Sequence, residues 1–373
     1  MTLSSIPTPA VVVDRGRLRA NIAAMQTRAS AAGVALRPHA KTHKSPDIAR
    51  WQIDAGATGI CCAKLGEAEV FATAGIADIR VPYPVNPINA PRTAALMDRT
   101  RLSIIVDDLE VARGWSHAMV RADRVLNILV KVDVGFHRCG VDPDSPAVID
   151  VIRRIADLKN LRFLGLLSHA GHAYLAKSSD EIETIALREI AILSAMAARL
   201  HGGGTAVDEI SVGSTPTARF VDRQAGVTEM RPGNYVFFDR TQVGLGASSL
   251  DDCAQSVVST VVSRPAPDRV IFDAGAKVLT TDGVRGFAGE GGHGLVYASL
   301  DATAPDTSIA IERLSEEHAT ARVPAACPLR PGDRVRIIAN HSCVVTNLTD
   351  ELILAEGMTV VDRLPVAARG KVT

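Results

Sequence analysis

Lysine and histidine side chains are concentrated in residues 37–44, directly after the apolar run 33–36. Lys41 lies within this stretch, and a lysine there can form a Schiff base with an aldehyde cofactor. His39, His43 and Lys44 stand beside it and can tune its charge. Taken alone, the stretch also fits a basic loop on the surface of a soluble enzyme.

Three titratable side chains, His169, His172 and Tyr174, follow another apolar run at 163–168. At the end of a strand, such groups are candidates for general acid–base catalysis or for stacking against a ring. Each of them alone is more often a structural residue whose hydrogen bonds are satisfied.

Arg138 lies between Gly135 and Gly140, after the apolar run 126–134. At the end of a barrel strand, an arginine flanked by glycines would point into the mouth of an active site. An arginine on the surface or paired with a carboxylate is an equally good interpretation of this residue on its own.

Two glycine-containing segments have the composition of an anion site. Glycine permits a close backbone approach, and hydroxyls with free N–H groups form an anion-binding nest. A helix N-cap is the alternative for the first segment, and the two interpretations are compatible. Tyr235, beside the second segment, could equally belong to the core. The candidate phosphate-binding residues are Gly213, Ser214, Thr215, Gly233 and Asn234.

His341 and Cys343 are separated by one residue and follow the apolar run 335–338. In an extended chain, residues i and i+2 lie on one face, so both can bind one borderline metal such as zinc. Two ligands are too few for a closed structural site. A third protein group, water or substrate must complete the coordination, as in an open catalytic site. A buried thiol is the commoner explanation of such a pair by itself.

These candidate residues can form one site only if the fold brings the ends of their strands close to each other. Apolar runs rich in Val, Ile and Leu, typical of strands buried on both faces, alternate with helical patterns such as 64–74, 109–120, 147–156 and 180–200. Eight β–α units predict an α/β fold, a (β/α)₈ TIM barrel whose chemistry lies at the carboxyl ends of the strands. A doubly wound sheet is the competitor, weakened because no GxGxxG turn follows the first strand. The predicted strands are 34–37, 59–63, 79–82, 102–106, 126–134, 163–168, 209–212 and 228–232.

After about residue 245 the pattern changes to short β-rich runs separated by turn residues, as at 265–268 and 331–333. The change predicts a barrel over residues 8–245 and a second, mostly antiparallel β domain over 246–373. An early strand within residues 1–15 is a candidate to pair with that domain. The predicted strands of the second domain are 256–263, 270–271, 295–298, 309–314, 334–339, 352–354 and 358–361.

Composition narrows the class of protein. Basic and acidic residues number 41 each, so the net charge is zero, and no basic stripe with aromatics points to nucleic acid. No apolar run reaches the ~18 residues of a membrane span, and the first residues lack the regions of a secretory signal. The six scattered cysteines suit reduced thiols. We therefore expect a cytoplasmic protein with no membrane or nucleic-acid partner.

Several motifs, in one order across nearly the whole chain, make it resemble the fold-type III pyridoxal-phosphate enzymes, which have an alanine-racemase-like barrel. It is most similar to the branch of D-threonine aldolases and D-serine dehydratases. Several motifs in order are far more specific than any one of them. The motifs occupy residues 37–44, 135–140, 213–217, 231–235, 273–277, 315–318 and 341–343.

The resemblance implies roles for particular residues. Lys41 is the expected Schiff-base lysine for pyridoxal 5'-phosphate, and Arg138 is expected near the pyridine nitrogen. Residues 213–215 are expected at the phosphate. His341 and Cys343 are the expected ligands of a divalent metal, Mn²⁺ or Zn²⁺. The resemblance also implies a homodimer in which the partner's β domain completes each active site.

The resemblance identifies this branch of the family more clearly than it identifies the reaction. The D-threonine aldolases carry His-x-Asp at the metal site, whereas D-serine dehydratases carry His-x-Cys, as this chain does. The compact length, in contrast, resembles the bacterial aldolases. For a D-β-hydroxy-α-amino acid substrate, we expect retro-aldol cleavage to glycine and an aldehyde. Dehydration of D-serine to pyruvate and ammonia is the alternative.

Two further classes of protein stay open. An amino-acid racemase would need a second acid–base residue opposite Lys41 and no metal. A pyridoxal-phosphate-binding protein without lyase activity would lack the second β domain. The presence of that domain and of the pair His341 and Cys343 therefore argues for an enzyme.

Overall fold

The computed structural model describes residues 1–283, 285–287 and 291–373. The described residues divide into two compact units. The barrel unit comprises Ala24–Lys41, Pro46–Gly233 and Gly370–Thr373. The β unit comprises Met1–Ala23, Thr42–Ser45 and Asn234–Arg369. No helix in the described ranges is long and apolar enough to cross a membrane.

A first strand, β1 (Ala10–Asp14), precedes eight parallel strands that form one sheet of the described chain: β2 (Ala35–Leu36), β3 (Ile60–Cys61), β4 (Asp78–Pro84), β5 (Arg101–Val106), β6 (Leu126–Lys131), β7 (Leu161–Leu167), β8 (Glu209–Val212) and β9 (Glu229–Met230). Their order in the sheet is β2-β9-β8-β7-β6-β5-β4-β3. A parallel bridge connects His39, just after β2, to Cys61 in β3. These two strands stand at opposite ends of this order, so the bridge closes the sheet on itself. The predicted barrel is therefore confirmed.

Helices lie between most successive strands of this sheet and in the β unit; β8 and β9 are joined by a 3₁₀ turn, Ala218–Arg223. The helices of the described chain are α1 (Arg15–Ala31), α2 (Pro46–Asp54), α3 (Leu65–Thr73), α4 (Ala90–Met97), α5 (Leu109–Ala122), α6 (Val148–Ala156), α7 (Ser179–His201), α8 (Arg240–Gly244), α9 (Ala276–Leu279) and α10 (Ser342–Leu348). The predicted helices correspond to α3, α5, α6 and α7. Side chains cap two of these: Asp108 accepts from the N–H of Val111 at 2.9 Å, and Ser178 accepts from that of Glu181 at 3.1 Å.

Strand β6 ends earlier than the apolar run predicts, at Lys131 rather than at residue 134. The physical reason is the side chain of Asp133, whose Oδ1 accepts hydrogen bonds from the N–H groups of Gly135 and His137, both at 3.0 Å. These bonds turn the backbone out of the ladder. The loop that carries Arg138 begins at this turn.

The β unit contains a mixed, mostly antiparallel sheet. Besides β1, its strands are β10 (Gln255–Ala266), β11 (Arg269–Phe272), β12 (Leu295–Tyr297), β13 (Ala310–Leu314), β14 (Ala319–Arg322), β15 (Arg334–Ile338), β16 (Glu351–Glu356) and β17 (Thr359–Pro365). Strand β1 pairs antiparallel with β10 and parallel with β16, so the early strand belongs to this sheet. The short strand β14 was not predicted, because its alternating, partly exposed residues contain no apolar run.

A network of buried charges has its three carboxylates at the amino ends of the barrel strands β4, β8 and β9. Glu229 accepts from Arg37 Nε at 2.7 Å and is also bound by Arg80. Arg37 binds Asp78 and Arg80 binds Glu209, both at 2.6 Å. The three central side chains are 5% exposed or less. Buried charges are tolerated when they are paired in this way.

Candidate active site

Lys41 lies in a short 3₁₀ turn, Ala40–Thr42, beyond the carboxyl end of β2. Its side chain is exposed. His39, two residues earlier, fixes the backbone of this turn. Its N–H donates to the Pro232 carbonyl at 2.9 Å, and its Nδ1 lies 3.4 Å from the backbone nitrogen of Lys41. An accessible amine on a fixed turn is the arrangement that Schiff-base formation needs.

His169 follows β7, and its ring is held in one tautomer. Nδ1 lies 2.7 Å from the carbonyl oxygen of Gly213. Because a carbonyl can only accept, Nδ1 carries the proton and Nε2 keeps its lone pair. Burial, with the positive charges of Lys131 and Lys41, holds the pKa of His169 well below its usual 6.5. His169 is therefore a neutral base at pH 7.

The ring of Phe136 contacts two of the predicted site residues. It meets the ring of His169 edge-on, with centroids 6.0 Å apart, and the guanidinium carbon of Arg138 lies 5.0 Å from its centroid. Gly171 approaches the same ring so closely that a Cβ there would lie 2.6 Å from it. The loop after β6 and the turn after β7 are thus packed against each other, which brings Arg138 and His169 to one ring.

Gly213, Ser214 and Thr215 form a buried turn after β8. Gly213 has a φ of +140°, and a Cβ there would lie 2.8 Å from the backbone nitrogen of Arg231, so the turn requires glycine. The hydroxyls of Ser214 and Thr217 bond at 3.0 Å. The hydroxyl of Thr215, in contrast, is buried with no hydrogen-bond partner among the described residues. Such an atom marks a place for a ligand, and a phosphate oxygen would satisfy it.

His172 and Tyr174 are half-buried in the 3₁₀ turn Gly171–Leu175. His172 lines a cleft of about 610 Å³ beside α7. Its Nδ1 is buried and has no partner within the described chain, and burial lowers its pKa. A buried polar atom of this kind can form a hydrogen bond with a small polar ligand. The other titratable residues that line the cleft are Asp133, His137, Asp142, Asp144 and Arg188.

Two buried residues with titratable side chains lie near the carboxyl ends of the barrel strands and were not predicted from the sequence. Lys131 is 4% exposed, and burial lowers the pKa of its ammonium to about 7. Glu189 on α7 is 1% exposed; its Oε1 accepts from Ser168 Oγ at 2.5 Å, and burial raises its pKa. A charge within an apolar strand, as at Lys131, was the available sequence signal.

In the β unit, His341 immediately precedes α10, and a carboxylate binds its ring. Nδ1 lies 2.5 Å from Oδ2 of Asp282. Burial by itself would lower the pKa of His341. The negative charge of Cys343 and its hydrogen bond to the ring, with the charge of Asp239 and the hydrogen bond to Asp282, outweigh burial and raise that pKa to about 10. The surroundings of His341 therefore favour a positive charge, which a proton or a metal cation can supply.

Cys343 receives polar contacts from two sides. Its Sγ lies 3.2 Å from Thr42 Oγ1 and 3.6 Å from Asn234 Nδ2. Asn234 Nδ2 also donates to Asp239 at 2.5 Å and to Ser342 Oγ at 3.0 Å. The amide nitrogen of Asn234 thus supports the His341–Cys343 segment, whereas its Oδ1 is buried without a partner among the described residues.

The last two predicted cofactor residues are both buried. Gly233 ends a segment of the barrel unit. Tyr235 is fully buried in the 3₁₀ turn Asn234–Val236 of the β unit. Their assignment to the phosphate stays a prediction.

The pair His341 and Cys343 supplies an incomplete set of metal donors. Within residues 1–283, 285–287 and 291–373, no three His, Cys, Asp or Glu side chains are arranged to hold a metal ion. An imidazole with a thiolate nevertheless suits a borderline divalent metal such as zinc. Two donors are what remains when water or substrate supplies the other ligands.

Two family models match this chain. The model of the alanine racemase N-terminal domain matches residues 13–241. The model of a putative serine dehydratase domain matches residues 254–355. The first model alone spans more than half of the chain.

Two curated relatives are similar over most of their length. The D-threonine aldolase of Arthrobacter sp is 35% identical over 99% of this chain and 94% of its own. The D-threo-3-hydroxyaspartate dehydratase of Delftia sp. (strain HT23) is 35% identical over 92% of each.

Two solved structures of D-threo-3-hydroxyaspartate dehydratase variants are also similar, both with a TM-score of 0.92. One carries alanine in place of a histidine; it is 33% identical and covers 98% of this chain and 96% of its own. The other carries alanine in place of a cysteine two positions further on and is in a metal-free form. It is 32% identical and covers 98% of each chain.

Proposed function

Because this chain belongs to the fold-type III pyridoxal-phosphate enzymes, and its curated relatives are lyases, we propose that it is a metal-dependent lyase of the D-threonine aldolase type. Its substrate would be a D-β-hydroxy-α-amino acid, cleaved to glycine and an aldehyde. The relative named D-threonine aldolase, which matches 99% of this chain, supports the choice of reaction.

His169 is the residue whose geometry carries the proposal. Carbon–carbon cleavage needs a base for the proton of the β-hydroxyl. The bond from Nδ1 to Gly213 leaves Nε2 as the accepting nitrogen, and the lowered pKa keeps the ring neutral. His169 would take that proton. His172 and Tyr174 are the other predicted bases.

The barrel-unit residues would hold the cofactor. Bound pyridoxal phosphate supplies an electron sink for the charge that develops on the substrate. Lys41 would hold the cofactor aldehyde, and residues 213–215 would bind the phosphate through backbone N–H groups and the unpartnered Thr215 hydroxyl. Arg138 would face the pyridine nitrogen and keep it unprotonated, because a guanidinium gives up no proton. The remaining predicted contacts are His39, Gly233, Asn234 and Tyr235.

His341 and Cys343 would hold a divalent metal, Mn²⁺ or Zn²⁺. Such a metal lowers the pKa of a bound hydroxyl group. The two dehydratase variants support this role, since their substituted histidine and cysteine have the same spacing as His341 and Cys343 and the cysteine variant is metal-free.

Dehydration is the second candidate, and the His-x-Cys spacing favours it. In that reaction Lys41 would remove the α-proton and the metal site would assist departure of the hydroxyl. The relative named D-threo-3-hydroxyaspartate dehydratase, at 35% identity, supports this alternative.

A product assay separates the candidates. The protein is incubated with pyridoxal phosphate and D-threonine or D-serine, with added manganese or zinc, before and after treatment with EDTA. We expect glycine and acetaldehyde from D-threonine, with activity lost on chelation. Formation of pyruvate or 2-oxobutyrate with ammonia would instead identify the protein as a dehydratase. No product from either substrate would contradict both.

We also propose a homodimer, as the resemblance implies. Light scattering after gel filtration should give about twice the chain mass of 39.4 kDa. A monomeric mass in a fully active preparation would contradict it.

A further inference from the structure

The carboxylate of Asp282 is bonded directly to the imidazole of His341 in the β unit. Its Oδ2 lies 2.5 Å from His341 Nδ1, and the two side chains are 30% and 32% exposed. Because an ionised carboxylate can only accept, the imidazole donates its Nδ1 proton to Asp282. With Nδ1 committed to Asp282, Nε2 is the nitrogen that a metal cation would bind in place of a proton.

Hydrogen bonds from neighbouring side chains fix the backbone of Asp282 at both its N–H and its carbonyl. The N–H of Asp282 donates to Thr280 Oγ1 at 3.2 Å. The carbonyl of Asp282 accepts from Asn340 Nδ2 at 2.9 Å, and the same amide donates to the carbonyl of Gly292 at 2.9 Å. Asn340 is 2% exposed and immediately precedes His341. One buried amide therefore ties the backbone of Asp282 to the residue that precedes His341.

Asp239, the other nearby carboxylate, is committed to different donors. Its Oδ2 accepts from Asn234 Nδ2 at 2.5 Å and from the N–H of Ser342 at 2.9 Å. Its Oδ1 accepts from the N–H of Gln242 at 3.0 Å and caps α8. Asp239 thus fixes backbone, whereas Asp282 bonds the imidazole itself.

We propose that Asp282 is a positioning residue of the metal site, which fixes the tautomer and ring orientation of His341 so that Nε2 is presented to the metal. The inference rests on the metal role proposed for His341 and Cys343. A carboxylate on the far nitrogen of a metal-binding histidine also makes the ligating nitrogen more basic. Removal of such a partner typically lowers metal affinity about 10- to 100-fold.

The test compares cobalt(II) binding by the full-length protein, loaded with pyridoxal phosphate, in wild type and three variants. Asp282→Ala removes the carboxylate, and Asp282→Asn keeps an acceptor without the charge. Asp333→Asn is the matched control, because Asp333 is an exposed residue of the same unit. Its carboxylate accepts a hydrogen bond from the N–H of Arg330 in its own turn, and from no other described residue. The readouts are the cobalt dissociation constant, the visible cobalt spectrum, the cofactor absorbance and the thermal midpoint without metal.

We expect Asp282→Ala to weaken cobalt binding about 10- to 100-fold and to change the ligand-field bands, while the cofactor absorbance and the metal-free thermal midpoint stay at wild-type values. Asp282→Asn should recover part of the affinity, and Asp333→Asn should bind as wild type does. Wild-type affinity in Asp282→Ala would overturn the inference, and so would an equal loss in Asp333→Asn. If the wild type binds no cobalt, the metal site and the inference both fall. If cobalt binds as expected but neither substrate is turned over, only the proposed reaction fails.

Discussion

In the charge network whose carboxylates lie at the amino ends of barrel strands, each central buried charge has a partner. At the carboxyl ends, in contrast, some buried polar atoms have none among the described residues. Arg37 and Arg80 bind Glu229 from two directions. The hydroxyl of Thr215 and Nδ1 of His172 are buried without a partner. Both ends belong to one unit and share the same strands. The difference teaches that a mutually satisfied polar cluster serves stability, and that unsatisfied atoms are found at the end where we propose that the ligand binds.

Substitution of a residue proposed to hold the cofactor should therefore lower activity and leave stability unchanged, and we expect Lys41→Ala to give the largest loss of activity. We expect lyase activity to fall at least about a thousandfold, because the amine that holds the cofactor is lost. The unfolding midpoint should stay within experimental error because the side chain is exposed. Lys159→Ala, at another exposed lysine, is the control. Retained activity in Lys41→Ala would contradict the assignment.

Substitution at the amino end should show the reverse pattern. Glu229→Gln leaves Arg37 and Arg80 without their shared charge, so we expect a loss of about 3–5 kcal/mol in the free energy of unfolding, measured with denaturant. Activity per folded molecule should persist. Asp98→Asn breaks an exposed pair with Arg124, at 2.8 Å, and should cost less than about 1 kcal/mol. Equal losses in the two variants would remove the distinction between the clusters.

The same network predicts a pH dependence. Burial opposes the charge of Glu229, but Arg80 and Arg37 prevail and lower its pKa from 4.5 to about 2. A carboxyl whose pKa is lower in the folded state stabilises the fold above pH 4.5, and this contribution is lost as pH falls toward about 2. The difference in thermal midpoint between wild type and Glu229→Gln should shrink across that window. A difference that is constant with pH would contradict the charge pairing.

The smallest predicted effect concerns one hydroxyl. Thr215→Val removes an unpartnered polar atom, so the cofactor-free protein should be as stable as wild type or slightly more so. Affinity for pyridoxal phosphate should fall about 10- to 100-fold, because a bond to a charged phosphate is worth about 1.5–3 kcal/mol. In Thr217→Val, by contrast, the bond to Ser214 is lost and stability should fall. Titration of the cofactor absorbance, with thermal melting, distinguishes the two; unchanged affinity in Thr215→Val would place the phosphate elsewhere.

The barrel could be predicted because its strands are continuous apolar runs whose period and spacing depend only on local sequence. Strand β8 was predicted at its observed bounds, Glu209–Val212. Strand β6 was predicted too long, because its end depends on hydrogen bonds from the Asp133 side chain rather than on hydrophobicity. Strand β14 was missed because its stability comes from partners β11 and β13 and not from its own residues.

Candidate site residues within a motif could be proposed from the sequence, whereas residues that reach the same place by tertiary contact could not. Lys41 and His341 lie in short segments with unusual composition. Asp282 is 59 residues from His341 in the chain, and Glu189 reaches Ser168 from a different element. No spacing rule connects such pairs, because the fold alone brings them together.

The most direct test of the central claim, that the carboxyl end of the barrel is the cofactor site, is to locate the cofactor on the chain. The protein is loaded with pyridoxal phosphate and reduced with borohydride, and the modified lysine is identified by peptide mass spectrometry. We predict a pyridoxyl group on Lys41. Modification at Lys131, whose lowered pKa also makes its amine reactive, or at no lysine would contradict the account.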